Sequence, residues 1–285
     1  MADRLADIVT QIQNVRQLET VVTAMRGIAA SRAQKARSLL AGVEAYSQVV
    51  SRAIGEALSL LPLYASAAPA PRHAKSALIL FCAEQGFAGA FSERVLEAAS
   101  RDLGDRAVFI VGQRGAAIAR EKGIEPAWSE PMAGQADAIP SFANRLADDL
   151  YGYVARGEVA EVEIVYAHSA TTGGTEVERH SLLPIDFERF GRPLTYEAPL
   201  ISLAPEVLLD RLAEEYVYAQ LCEAALHAFT AENEARMIAM LEARTNIETK
   251  LITLSNHERQ LRQQEITTEV VELAAGAEAA RLSYS

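Results

Sequence analysis

Apolar side chains recur at steps of three and four along the first sixty residues. Leu5, Ile8, Ile12, Val15, Leu18, Val22, Met25 and Ala29 open a ladder. It continues through Arg32, Ala36, Leu39, Val43, Tyr46, Val50, Ala53, Ala57 and Leu60. The spacing averages close to the 3.5-residue repeat of a coiled-coil seam. A second ladder runs through Leu208, Leu212, Tyr216, Ala219, Cys222, Leu226 and Phe229. It weakens through Asn233, Arg236, Met240, Ala243, Ile247, Leu251 and Leu254, and helical character persists to about Leu273. All ten prolines fall between Pro62 and Pro205. Proline costs a helix interior about 3 kcal/mol, so the two proline-free flanks favour long helices. Pro205 suits the first helical position, and Glu206 follows it where the helix dipole favours an anion. At about 1.5 Å per residue the helices would run roughly 90 and 100 Å. Helices that long need each other and something outside the chain to cover their apolar faces.

The middle alternates differently. SALILFCA (76–83), RAVFIV (106–111) and VEIVYAH (162–168) are short β-rich runs. Helix-like segments follow the first two, and one at about 139–156 precedes the third, which is the alternation of an open parallel α/β sheet. After TTGG (171–174), EVERHSLLPI reads as a further strand, antiparallel at an edge. The fold class expected is therefore α/β: a long antiparallel coiled coil of N- and C-terminal helices with an inserted Rossmann-like domain. The expected divisions are 1–61, 72–203 and 204–285.

Charge refines this picture. The net charge of −11 argues against nucleic acid as a partner of the whole chain. Residues 1–61 carry 7 basic against 5 acidic side chains, whereas residues 206–285 carry 7 against 14, so the flanks are mildly complementary. No apolar run approaches the roughly 18 residues of a membrane span. The start, MADRLADIV, reads as neither a secretory nor a mitochondrial targeting segment. Cys82 and Cys222, far apart in unlike contexts, read as buried thiols of a reducing compartment. In VTAMRGIAASRAQKAR (22–37), four basic residues sit among alanines too small for a membrane-surface helix. They fit a close helix–helix seam whose charges face another protein.

Candidate catalytic chemistry is sparse. VFIVGQRGAAIAREKG (108–123) places Gly112 and Gly115 between a strand and a helix, but lacks the third glycine of a dinucleotide fingerprint. It reads as a plain strand-to-helix turn. EQGFAGAF (84–91) lacks the Lys-Ser/Thr pair of a phosphate loop. No two of the five histidines have metal-ligand spacing; His168 and His180 read as a solvated pair across a hairpin. Asp148 and Asp149 fall on a solvated helix face. No catalytic residue, cofactor or metal is expected.

Three segments then carry a family resemblance. Ala24-Met25-Arg26-Gly27-Ile28-Ala29-Ala30-Ser31-Arg32 matches a pattern A-M-x-x-V-A-A-S-[KR]. Glu232 through Met240 matches E-x-x-A-R-M-x-A-M, and Arg262 through Val270 matches R-Q-x-x-I-T-x-E-[LIV]. In order, on the two predicted arms, these resemble the gamma subunit of F-type ATP synthases. The resemblance implies a non-catalytic rotor shaft, one copy per complex. Its partners would be the alpha and beta subunits of the catalytic hexamer, the epsilon subunit and the c-subunit ring. It would lie as a peripheral protein on the cytoplasmic face of the bacterial inner membrane. It implies that Met25, Arg26 and Arg32 meet the moving beta-subunit lever, that Arg262, Gln263 and Thr267 meet a beta-subunit loop, and that Arg236 holds the last helix in place. The weakly polar end, VVELAAGAEAA (270–280), would turn in an apolar bearing. The chain departs from the family at Ile201 and Ser202, where a Tyr-Glu pair that docks on the c ring is common. It departs again at residues 84–92, where D-R-G-L-C-G-G-L-N is usual. Two other readings compete: a nucleotide-dependent enzyme with dimerisation arms, and a coiled-coil adaptor.

Overall fold

The computed structural model describes residues 2–61, 75–104, 106–170, 174–191 and 200–283. The expected turn at 171–173 and the expected domain edge at 72 lie outside the described residues. The two flanks are helices: α1 spans Ala2–Ser59 and α5 spans Pro205–Ser283. Pro205 opens α5 with Glu206 in its first turn. The C-terminal helix continues past Leu273, because nothing between there and Ser283 breaks it.

Between them lie β1 (Lys75–Phe81), α2 (Phe91–Ala99), β2 (Ala107–Val111), α3 (Gln113–Glu121), β3 (Trp128–Glu130), α4 (Ile139–Ala155), β4 (Val159–Ser169) and β5 (Thr175–Leu183). The sheet order is β3-β2-β1-β4-β5. Strands β1 to β4 are parallel, and β5 closes one edge antiparallel to β4. The expected strands and the edge hairpin are therefore present. The sequence reading misses β3, whose three residues Trp-Ser-Glu carry no alternation to detect.

The chain forms two compact units. One is 29–236, containing the sheet; the other is 1–28 with 237–285. In the first, β1 is buried on both faces, which is why its core reads as an unbroken apolar run. Ala77, Ile79 and Phe81 point into a core shared with α4, with Ala36 of α1 and with Val217, Leu221 and Ala225 of α5. Leu78, Leu80 and Cys82 point the other way, against α2 and α3. Here α1 and α5 run antiparallel. Tyr46 donates to Glu215 at 2.5 Å, the Gln220 amide donates to Ser47 at 3.2 Å, and Arg37 pairs with Glu234. Val50, Ile54 and Leu58 pack with Tyr216 and Phe190. In the second unit, Ile8 and Ile12 meet Leu254, flanked by partly buried Val15, Leu251 and Leu261.

The seam of α1 differs in detail from the ladder. Leu18 is 55% exposed. Ala33 is buried where Arg32 was expected, and Ser47 where Tyr46 was expected. A straight helix turns in 3.6 residues, so a 3.5-residue ladder drifts off its face and is off by one at these rungs.

Candidate functional site

The carboxyl end of a parallel sheet is where an α/β domain would hold a ligand, at the strand where chain order reverses. That strand is β1, with β2 on one side and β4 on the other. At its end α3 presses directly onto the strand, beside an open cavity of about 390 Å³ lined by Gln85, Gly86, Gly89, Ser92, Glu93 and Arg114. Gly115 donates to the Ala83 carbonyl at 3.0 Å, and a Cβ on Gly115 would stand 2.0 Å from Cys82 Cβ. Gly112, at φ +104°, has Cys82 and Ala83 carbonyl oxygens 2.5 and 2.7 Å from where its Cβ would be. Both glycines of GQRG thus let α3 press onto β1, which accounts for them without a nucleotide.

The backbone donors at this edge are occupied by carboxylates of the chain itself. Glu84 Oε2 accepts from Gln113 N at the start of α3 (3.0 Å) and from Met132 N (2.8 Å). Glu232 of α5 accepts from Glu84 N and Gln85 N, each at 3.2 Å and each on its own oxygen. Arg236, one turn on, pairs with Glu232 at 2.5 Å. It also donates to the Gln85 and Gly86 carbonyls at 3.1 Å and to Asn233 Oδ1 at 3.2 Å. The Glu232 and Arg236 side chains are only 4% and 6% exposed. Next to them, Glu234 takes both Ser169 at the end of β4 and Arg37 of α1.

Burial pushes the Cys82 thiol up to about 12, with the Glu232 and Glu93 carboxylates adding to it, so the thiol stays protonated and unreactive. His168 and His180 do not face each other: the hairpin register sets His168 against Glu176 and His180 against Ile164. Burial holds His180 below the usual histidine range despite Glu178, with Arg189 adding to the effect. Burial likewise lowers His227, helped by His168 and opposed by Glu44 and Glu178. Asp149 accepts from the Trp128 indole at 2.9 Å on an exposed helix face. Among the described residues, no three His, Cys, Asp or Glu side chains are placed to hold a metal. No helix there is long and apolar enough to cross a membrane.

The residues singled out for partner contact fall into two groups. In the sheet-bearing unit, Arg236 is buried in the clamp and Arg32 is partly exposed on α1. In the other unit, Met25 and Arg26 are partly exposed. Arg262 is exposed and tied to Glu258 at 2.9 Å. Gln263 and Thr267 lie together on one polar face of α5 with Gln260, Gln264 and Thr268, and the Thr267 hydroxyl donates to the Gln263 carbonyl at 2.8 Å. Side chains at 276 and from 278 on, within the expected bearing segment, lie outside the described residues. Sequence reasoning missed the role of Glu232. It stood in a quoted family segment, but only the fold brings it 148 positions back to Glu84.

Comparison with known proteins agrees with this arrangement. The family model described as ATP synthase matches residues 4–280. The ATP synthase gamma chain of Kineococcus radiotolerans is 30% identical over 305 aligned positions, covering 100% of this chain and 99% of that one. That of Chlorobium limicola is 27% identical, covering 96% and 98%. In fold, the chain resembles one in the Euglena gracilis mitochondrial ATP synthase structure of OSCP, F1 and c-ring. The TM-score is 0.67 at 13% identity, over 100% of this chain and 97% of that one. A chain of the Tetrahymena thermophila mitochondrial ATP synthase central stalk and c-ring matches with a TM-score of 0.53 at 18% identity, over 78% and 99%. The chain belongs to the gamma-chain family of ATP synthases, the non-catalytic central-stalk subunit of a membrane-bound F-type complex.

Proposed function

We propose that the chain turns as one copy per complex inside a hexamer of alpha and beta subunits, with its sheet-bearing middle toward the epsilon subunit and the c-subunit ring. In a bacterium this sets it on the cytoplasmic face of the inner membrane. The division into an N-terminal arm (1–61), a middle (72–203) and a C-terminal arm (204–285) follows the work of each part: two arms that are gripped and a body that is driven. Ion flow turns the shaft, and each beta subunit meets a different face in turn. Differential contact energy then biases the catalytic sites, which are held elsewhere.

The observation that supports this best is what the long helices leave uncovered. Ile28, Ile238, Leu241, Ile252, Ile266 and Val270 are all exposed large apolar side chains on proline-free helices. Partner-facing stripes of this kind are out of place on a finished surface. Met25, Arg26 and Arg32 then serve as the face toward the beta-subunit lever, and Arg262, Gln263 and Thr267 as polar contacts with a beta-subunit loop. Arg236 acts from inside, by holding α5. The competing enzyme reading is disfavoured by Glu84 and Glu232, which occupy the backbone donors a nucleotide would use.

Co-expression with alpha and beta subunits tests the reading. A stable complex of one chain with three of each is expected. In it, the triple variant Arg262→Ala, Gln263→Ala, Thr267→Ala lowers ATP turnover without moving the chain's own unfolding temperature. A chain that never enters the complex, or that binds nucleotide alone at micromolar levels, overturns it.

A further inference from the structure

The clamp at the end of β1 has two properties that the shaft reading leaves unused. The first is chemical. Backbone N–H groups at the carboxyl end of a sheet form an anion site. Here Glu84 N and Gln85 N each bind one oxygen of a single carboxylate, which arrives from α5. The second is mechanical. Apolar packing between α5 and the sheet resists separation but has no direction. It does little to fix the angle of a helix about its own axis. Glu232 and Arg236 lie one turn apart on the same face, and together make four hydrogen bonds to residues 84–86. A rotation of α5 by one residue, about 100°, carries all four out of reach. Within the same turn Glu234 holds the end of β4 through Ser169, and α1 through Arg37.

We infer that Glu232 is a built-in ligand of the sheet's anion site, and that its clamp with Arg236 is the torsional joint through which torque passes between the sheet and α5. This rests on the rotor reading. In an open parallel sheet an external anion at this place binds and leaves. Here the ligand is covalently part of the helix, so ligation becomes attachment. Arg236 neutralises the buried carboxylate and ties its other donors to the carbonyls of the same loop, so donors and acceptors of residues 84–86 are engaged from one helix face. The arrangement makes Glu232 and Arg236 positioning residues for rotation, with no part in the chemistry of ATP.

The test uses the full chain assembled with alpha and beta subunits, immobilised through the hexamer, with a bead attached to the sheet-bearing middle. Angular fluctuation of the bead in a paused complex reads the stiffness of the joint. The wild-type complex gives a narrow distribution. Glu232→Ala broadens it while ATP hydrolysis continues, and added formate, which fits the vacated carboxylate site, narrows it again. Formate leaves the wild type and Arg236→Ala unchanged. Should Glu232→Ala fail to assemble, Glu232→Gln, which keeps the shape but loses the charge and one acceptor, is expected to broaden the distribution in turn. A Glu232→Ala or Glu232→Gln complex as stiff as wild type, or Glu232→Ala broadening that formate does not reverse, overturns the joint while leaving the rotor reading intact. A wild-type chain that assembles but never rotates overturns both.

Discussion

At the scale of single residues, the close approach of α3 to β1 leaves no room for a side chain at Gly112 or Gly115. Gly115 is the tightest case. An added methyl would sit 2.0 Å from Cys82 Cβ, with Cys82 Sγ at 3.0 Å, on a strand buried from both faces. Neither partner can move without displacing β1 or α3. Gly115→Ala is therefore expected to destabilise the chain by about 1–3 kcal/mol or more, as overpacking in a dense core does. The contrast is Gly27→Ala, at a helical position with nothing within 4 Å of the added Cβ. It should be neutral or mildly stabilising, by up to about 1 kcal/mol. Denaturant unfolding followed by circular dichroism, at low protein concentration, separates the two. An equal midpoint for both variants would show that the α3–β1 approach is looser than its geometry. The sequence displayed both glycines of GQRG, but their reason lay in Cys82, some thirty positions away. Glu232 was hidden in the same way, since a carboxylate on a helix gives no sign of which loop it will reach.

Elements were far more legible than their faces. Proline placement and three- and four-residue steps located α1 and the start of α5 to within a residue or two, though α5 runs on to Ser283, past the expected end near Leu273. Helix type over a long segment is decided by many weak signals that agree. The sheet strands declared themselves where they are buried on both faces, as in LILF of β1. The three-residue β3 was silent, since its pairing with β2 is set by tertiary context. The face of α1 was harder again. A ladder spaced at 3.5 residues set Leu18 inward, whereas the helix leaves it 55% exposed. The energetic consequence can be checked. Leu18→Ala should change the isolated chain's stability by no more than about 0.5 kcal/mol. Ile54→Ala, in a fully buried site against Tyr216 and Phe190, should cost about 2–5 kcal/mol. Comparable losses from the two substitutions would put Leu18 back on the seam.

For the whole molecule, burial is uneven in a way that suits a shaft. From Tyr216 to Arg236, α5 is buried on nearly every side by the sheet-bearing unit. Among the described residues of the other unit, Ile8, Ile12 and Leu254 form the buried apolar cluster. At about 25 cal/mol per Å² of apolar surface, so small a cluster contributes only a few kcal/mol. The described side chains of 4–28 and 237–275 therefore bury little against one another, and in the rotor reading the hexamer covers them. Amide hydrogen exchange makes this measurable. In the isolated chain, amides of 216–236 should be protected close to the global limit, and those of 245–275 should exchange many times faster through local opening. On assembly with alpha and beta subunits the second set should slow markedly while the first scarcely changes, because binding stabilises only what it covers. If 245–275 were as protected in the free chain as in the complex, the arms would be self-sufficient. The exposed apolar stripes would then need an explanation other than a surrounding partner.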